Sequence, residues 1–191
     1  MTIRKIAQIG HPILRQPARP VRLEEIDTPA FQALVDDLVE TMRDASGAGL
    51  AAPQIHEPLR LFAVEVSRNP RYPYKPDIPL TVLINPVVKP LSDDRFENFE
   101  GCLSVPNLRG MVQRWAHVRV TGLDRHGQPF ERIAKGFTAG TFQHELDHLD
   151  ATIFVDRVED PRTLTTWTEF ERYHREAFLV KAQAIIDRWG E

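Results

Sequence analysis

The sequence predicts an α+β fold in which helices flank a β-rich centre. Apolar residues recur at helical spacing near the amino terminus and again in the last third, while the middle alternates apolar and polar residues between turn signals. Asp27-Thr28-Pro29 supplies an N-cap and a proline at the first helical position; Phe31, Leu34, Val35, Leu38, Val39 and Met42 then form the apolar stripe of an amphipathic helix ending near Ser46-Gly47. Gly47 to Gln54 carries little side-chain bulk and reads as a loop before a strand-like run from Leu61 to Val66. Pro70, Pro73, Pro76 and Pro79, with Tyr72 and Tyr74 among them, predict an irregular surface connection over 67–80. Thr81 to Val88 reads as a strand interrupted at Asn85-Pro86, Met111 to Leu123 as one long alternating strand, and Asp124 to Gly127 as the turn into a return strand ending at Ile133. A helix is expected from about Thr138 to Leu149, and a last one from Asp160-Pro161 onward carrying Trp167, Phe170, Phe178, Ile185 and Trp189. No internal repeat, charge block or long linker interrupts the chain, so residues 1–191 are expected to form one domain.

Composition then narrows the function classes. With 42% apolar and 27% charged residues the chain can bury a core, which excludes a disordered segment and a small disulfide-stapled scaffold. A net charge of -3 from 24 basic and 27 acidic residues gives no electrostatic footprint for nucleic acid or an anionic membrane. No apolar run approaches the roughly 18 residues of a membrane span, and Met1 to Arg22 lacks the apolar stretch of a secretory signal. The chain is therefore expected in the cytoplasm. Its one cysteine, Cys102, cannot form an intrachain disulfide, so its value lies in packing or in thiol chemistry.

His144-Glu145-Leu146-Asp147-His148 is an H-E-x-x-H sequence. At about 100° per residue its two histidines stand one turn apart on one helix face, where both imidazoles can reach a single metal ion. Glu145 projects beside them, placed to take a proton from a metal-bound water and return it to a leaving group. Asp147 and Asp150 read as exposed or capping carboxylates, with a bond to a ligand histidine as the alternative for either.

Catalytic divalent sites usually take three protein ligands and keep one position for water, so a distant residue must supply the third. The metalloprotease spacing with a third histidine fails, because Phe154 stands at that position. Glu169 or Glu171, downstream of His148 on a helix face that reads as solvated, would make a zinc endopeptidase. Cys102 is the other candidate, in Glu100-Gly101-Cys102-Leu103-Ser104, between a glycine that permits close backbone approach and a residue whose N–H could face a substrate. A non-catalytic metal or peptide-binding module is a third class, though such a module has no need of Glu145.

Gly47 to Gln54 as G-A-G-L-A-A-P-Q, Glu100 to Ser104 as E-G-C-L-S, and Gln143 to Leu149 as Q-H-E-L-D-H-L resemble, in order, the three signature motifs of the peptide deformylases. The likeness extends to Gly10-His11-Pro12-Ile13-Leu14-Arg15 and to the strand-turn-strand region, covering residues 6 to about 158. It implies antiparallel β-sheets around a central helix bearing H-E-x-x-H, with helices at both ends of a single catalytic domain. It also implies hydrolysis of the formyl group from the N-formylmethionine of newly made polypeptides. By motif position Cys102, His144 and His148 correspond to the ligands of one divalent metal ion, typically iron(II) in the family, although a thiolate and two imidazoles also suit zinc, nickel or cobalt. An iron(II)–thiolate centre implies loss of activity in air and protection by the other ions. Metal-bound hydroxide would attack the formyl carbon, Glu145 would carry the proton, and the Gln54 amide with the Leu103 backbone N–H would stabilise the oxyanion.

The resemblance places Ala48, Gly49, Glu100, Gly101, Phe137, Gly140, Thr141 and His144 around the methionine side chain, pairs Glu100 with Arg114, and sets Arg109 against the peptide beyond methionine. The chain departs from the family pattern at Ala48, where a larger apolar residue is usual, and at His56 and Ala151, where glycine is usual. The first departure could widen the pocket mouth; the others affect turns. His11, His56, His117, His126 and His174 have no constellation around them and read as structural or surface residues. Nascent formylmethionyl peptides are the implied partners, the ribosome a further one, and a monomer the expected state. Residues 161–191 carry five basic and five acidic side chains and so form no basic RNA-binding arm.

Overall fold

Residues 2–69 and 71–190 are described by the computed structural model; Pro70 of the proline-rich connection lies outside the described residues, as do Met1 and Glu191. A one-turn helix α1 (Leu23–Ile26) leads into α2 (Pro29–Asp44), which begins where Thr28 accepts the Phe31 amide through its side chain. The predicted stripe of α2 is its inner face: Phe31, Val35, Leu38, Val39 and Met42 are buried against Leu61, Ala63 and Ile84 of the neighbouring sheet. Each such fully buried side chain is worth about 1.5–3 kcal/mol relative to exposure. Ser46, at φ 51°, turns the chain out of the helix.

The strands are β1 (Gly49–Ala51), β2 (Leu61–Val66), β3 (Ile78–Pro90), β4 (Arg95–Cys102), β5 (Val105–Trp115), β6 (His117–Leu123), β7 (Pro129–Lys135) and β8 (Thr165–Thr166). They form two antiparallel sheets, one ordered β1-β2-β3-β6-β7 and one ordered β4-β5-β8. Between them runs α3 (Gly136–Leu149), the H-E-x-x-H helix. Ala139, Phe142 and Leu149 of α3 pack on Phe62, Val64, Leu83, Val118 and Val120 of the larger sheet. Phe137 enters an aromatic cluster with Phe96, Phe99, Phe170 and Phe178. A helix with apolar residues on two faces is what burial between two sheets requires. Among the described residues no helix is long and apolar enough to cross a membrane.

Three local expectations need correction, and a fourth gains detail. The predicted strand 111–123 is two strands in different sheets: Ala116 is the corner, its N–H donating to the Asp94 carbonyl and its own carbonyl accepting from Gly136 N–H. Period-two alternation runs through the corner because it reports burial and not the identity of the pairing strand. The interruption expected at Asn85-Pro86 is there, as a bulge within β3, with Asn85 at φ 51° and its side-chain amide bonded to the Val21 N–H and carbonyl at 2.9 and 2.8 Å. Asp160-Pro161 starts only a single turn, Pro161–Thr163; the last helix begins after β8 and runs through α4 (Trp167–Glu169), a wider π-type stretch (Phe170–His174) and α5 (Arg175–Trp189). The connection over 67–80 is not simply superficial, since Tyr72 and Ile78 are buried and Tyr74 packs on Phe137 and Phe178.

Candidate active site

Strand periodicity sets one wall of the site. Phe96, Asn98, Glu100 and Cys102 alternate along β4 and are all buried. The opposing wall is α3, whose i, i+4 spacing puts His144 and His148 side by side, ring centroids 5.1 Å apart. The ligand atoms of Cys102, His144 and His148 all lie within 4.8 Å of one another, and Cys102 Sγ is 3.3 Å from His148 Nε2. Glu169 and Glu171 do not join this group, and Glu171 is exposed.

The surroundings orient these three side chains. Glu100 Oε2 lies 2.9 Å from His144 Nδ1; a carboxylate can only accept, which fixes the ring proton on Nδ1 and leaves Nε2 free. Arg114 clamps the same carboxylate at both oxygens, Nε to Oε1 at 2.7 Å and Nη2 to Oε2 at 2.8 Å. Its remaining Nη1 donates to Asp147 Oδ2 at 2.7 Å, and Arg157 donates to both Asp147 oxygens. Asp147 is thus a buried link in this network and not an exposed carboxylate. Burial works against the charge on Glu100, but Arg114 and His144 outweigh it and hold the carboxyl well below its usual range. Burial likewise pushes the Cys102 thiol up, and the His148 charge with hydrogen bonds from His144 and His148 more than reverses this, favouring thiolate.

Glu145, 4% exposed, has its Oε2 without a partner among the described residues, and burial raises its carboxyl pKa. It lies against Gly49 of β1, where any Cβ would overlap the carboxylate. Gln54 accepts from the Ala51 amide at 2.8 Å, and its Nε2 donates to Ser104 Oγ at 3.0 Å and points at Cys102 Sγ at 3.6 Å. The Ser104 amide donates to the same sulfur at 3.4 Å. Leu103 occupies the β4–β5 turn between these groups and lines the pocket with Ala48, Gly49, Gln54, Glu100, Gly101, Cys102, Gly140, Thr141, His144 and Glu145.

Two predicted residues stand elsewhere. Phe137 is 1% exposed in the aromatic cluster and contributes its carbonyl to Thr141. Arg109, expected against the peptide, is fully buried: its Nη2 donates to the Tyr74 hydroxyl at 3.1 Å and to the Phe99 carbonyl, and its guanidinium lies 3.9 Å from the Phe170 ring centroid. Sequence reasoning missed Ser104, Asn98 and the pocket-lining Arg71, Tyr72, Tyr74 and Lys75. Alternation with Glu100 and Cys102 marks Asn98; nothing in the proline-rich stretch marks the other four.

The donor set fits a divalent ion. A thiolate and two imidazoles within reach of a single point match metal bonds of about 2.0–2.3 Å, and the unpartnered Glu145 oxygen faces a buried site where a ligand's proton would satisfy it. Fold and site place the chain among the hydrolases built on an H-E-x-x-H helix. Comparison with known proteins narrows this. The family model described as polypeptide deformylase matches residues 3–163. The chain is 49% identical over 158 residues to peptide deformylase 1 of Bordetella pertussis, covering 83% of this chain and 89% of that protein. It is 45% identical over 166 residues to peptide deformylase 2 of Nostoc sp., covering 87% and 90%. Its structure is similar to the Met-Ala-Ser-bound class I type b peptide deformylase of Acinetobacter baumannii, with a TM-score of 0.79 at 37% identity over 82% of this chain and 99% of that chain. A peptide deformylase of Legionella pneumophila matches with a TM-score of 0.73 at 34% identity over 99% and 96%. The chain belongs to the peptide deformylase family.

Proposed function

We propose that the chain removes formate from N-formylmethionine at the amino terminus of new polypeptides, working as a monomer in the cytoplasm, with Glu145 as general acid and base. The observation that carries this reading is the buried Glu145 carboxylate, its Oε2 without a partner among the described residues, beside the Cys102, His144 and His148 donor atoms. A divalent ion held by those three, iron(II) by family resemblance, would supply an activated water and polarise the formyl carbonyl. Everything else is the chain's own work. Glu145, made more basic by burial, takes the proton from the attacking water at its free Oε2 and passes it to the amine that departs. The Gln54 amide and the Leu103 backbone N–H are offered to the developing oxyanion, each contributing on the order of 3 kcal/mol when aligned. Gln54 Nε2 now serves Ser104 and Cys102, so substrate competes for one of its hydrogens. Glu100 and Arg114 hold His144 in place throughout.

The test is formate release from formyl-Met-Ala-Ser by protein purified without oxygen, with bound metal measured alongside. Glu145→Gln is expected to keep its metal and lose turnover by at least a hundredfold, and Cys102→Ser to lose both. Metal retained in Cys102→Ser, together with no formate from the unmutated protein, would overturn the reading and turn attention to unformylated peptides.

A further inference from the structure

One side of the space beside the three ligand side chains presents polar groups to an entering side chain, where methionine would need an apolar wall. Gly140 and Thr141 on α3, Asn98 on β4 and Lys75 from the 71–77 connection line it together. Lys75 Nζ donates to Thr141 Oγ1 at 3.0 Å and lies 4.8 Å from the Tyr72 ring centroid. The Thr141 hydroxyl passes its own proton to the Phe137 carbonyl at 3.0 Å, so it serves Lys75 only as an acceptor, and the ammonium has donor capacity left for a ligand. Asn98 is 4% exposed; its Nδ2 donates to Glu100 Oε1 at 3.3 Å, and its Oδ1 has no partner among the described residues. A buried oxygen without a donor is costly, which makes it a point where an incoming donor gains.

Geometry forces an entering side chain onto these groups. The free space is about 40 Å³. Its α3 side has no room for a side chain at residue 140, where a Cβ would lie 3.1 Å from the Phe96 ring and 3.7 Å from Asn98 Nδ2. Tyr72 and Tyr74 anchor the segment that carries Lys75, the first against Trp167 with ring centroids 6.0 Å apart, the second against Phe137 and Phe178 at 5.2 and 5.1 Å. Glu100 is already matched by Arg114. The Lys75 ammonium is thus a fixed part of the wall.

Resting on the deformylase reading, we propose that Lys75 and Asn98 are specificity-determining residues, and that this pocket favours an unbranched first side chain of methionine length ending in an oxygen acceptor over a hydrocarbon of equal length. Lys75 donates to that oxygen, and Asn98 Oδ1 accepts from the terminal group if it is an amide. A site with buried hydrogen-bonding groups discriminates strongly against the analogue that lacks partners for them.

The experiment compares kcat/KM for formyl-X-Ala-Ser peptides in which X is methionine, norleucine, methionine sulfoxide or glutamine, using the full chain, Lys75→Met, Lys75→Arg and Asn98→Leu, each checked by thermal melting. The sulfoxide-to-norleucine ratio is expected to fall about tenfold or more in Lys75→Met, chiefly through KM, and to be restored in part by Lys75→Arg. Asn98→Leu is expected to lower the glutamine-to-norleucine ratio and spare the sulfoxide. Ratios unchanged in a folded Lys75→Met overturn the proposal. If the unmutated protein frees no formate from any peptide, the deformylase reading fails instead, and calorimetric binding of the unformylated X-Ala-Ser peptides decides the role of Lys75: equal affinities for glutamine and norleucine peptides, unmoved by Lys75→Met, overturn it too.

Discussion

Gly49 of β1 faces the Glu145 carboxylate with no room for a Cβ between them, the glycine's imagined Cβ lying only 2.8 Å from Glu145 Cγ. The first motif and the helix motif, distant in sequence, therefore meet through the absence of a side chain. Gly49→Ala must push Glu145 out of its buried position or part β1 from α3. We expect kcat to fall at least tenfold with metal content unchanged, since a small displacement of a proton-transfer group is costly and the ligand atoms are not involved. Metal analysis alongside initial rates checks this; loss of metal in step with activity would contradict it.

Arg114 is the hinge of the charge network, with two carboxylates, Glu100 and Asp147, on one 4%-exposed guanidinium. Arg114→Met strips both of a buried partner. Breaking a buried pair from one side costs about 3–5 kcal/mol, and here Arg157 retains a hold on Asp147 while Glu100 keeps only His144 and Asn98. Denaturant unfolding should show that loss, and Arg114→Lys should recover less than half of it, because an ammonium cannot repeat the bidentate contact.

Which parts of this were legible depends on what kind of signal each residue leaves. Helix α2 and the H-E-x-x-H helix α3 could be read because caps and apolar spacing are local, and a ligand pair at i, i+4 is local too. The corner at Ala116 was not, because alternation is the same on both sides of a change of sheet. Glu100 beside Cys102 came from family resemblance, as did its partner Arg114, since no rule of spacing joins β4 to β5 and α3. Lys75 and Tyr72 were missed for a different reason: a proline-rich connection records where the chain cannot be regular but not what it folds against. Arg109 was placed by analogy at the peptide, whereas the aromatic residues of the last helix, outside the matched region of the family, bury it here.

Glu25 offers a pH prediction away from the metal site. Hydrogen bonds from the Arg19 side chain, the Arg22 amide and the Arg22 side chain pull its carboxyl from 4.5 down to about 2. A folded-state value below the unfolded one means that the contribution is present above about 4.5 and is lost as the pH falls toward 2. Carboxyl titration by NMR should find Glu25 among the most acidic carboxylates, and Arg19→Ala should return it most of the way to its ordinary value. An unmoved titration in that variant would mean that Arg22 alone sets it.

His56 and Ala151, the positions where family resemblance leads one to expect glycine, both hold left-handed backbone, at φ 68° and 59°. For a residue with a Cβ this conformation costs about 1–2 kcal/mol. At Ala151, which follows α3 at the end that bears His148, no hydrogen-bonding side chain offsets the strain. Ala151→Gly relieves it at the expense of some added freedom in the unfolded chain, for a net gain of about 0.5–1 kcal/mol. A chain of this size should then melt about 1–4 °C higher. His56→Gly should gain less, because the imidazole packs edge-on against His11 at 4.7 Å between centroids and that contact is lost with it. Equal or opposite shifts in the two variants would show that backbone strain is not what separates these positions from the family pattern.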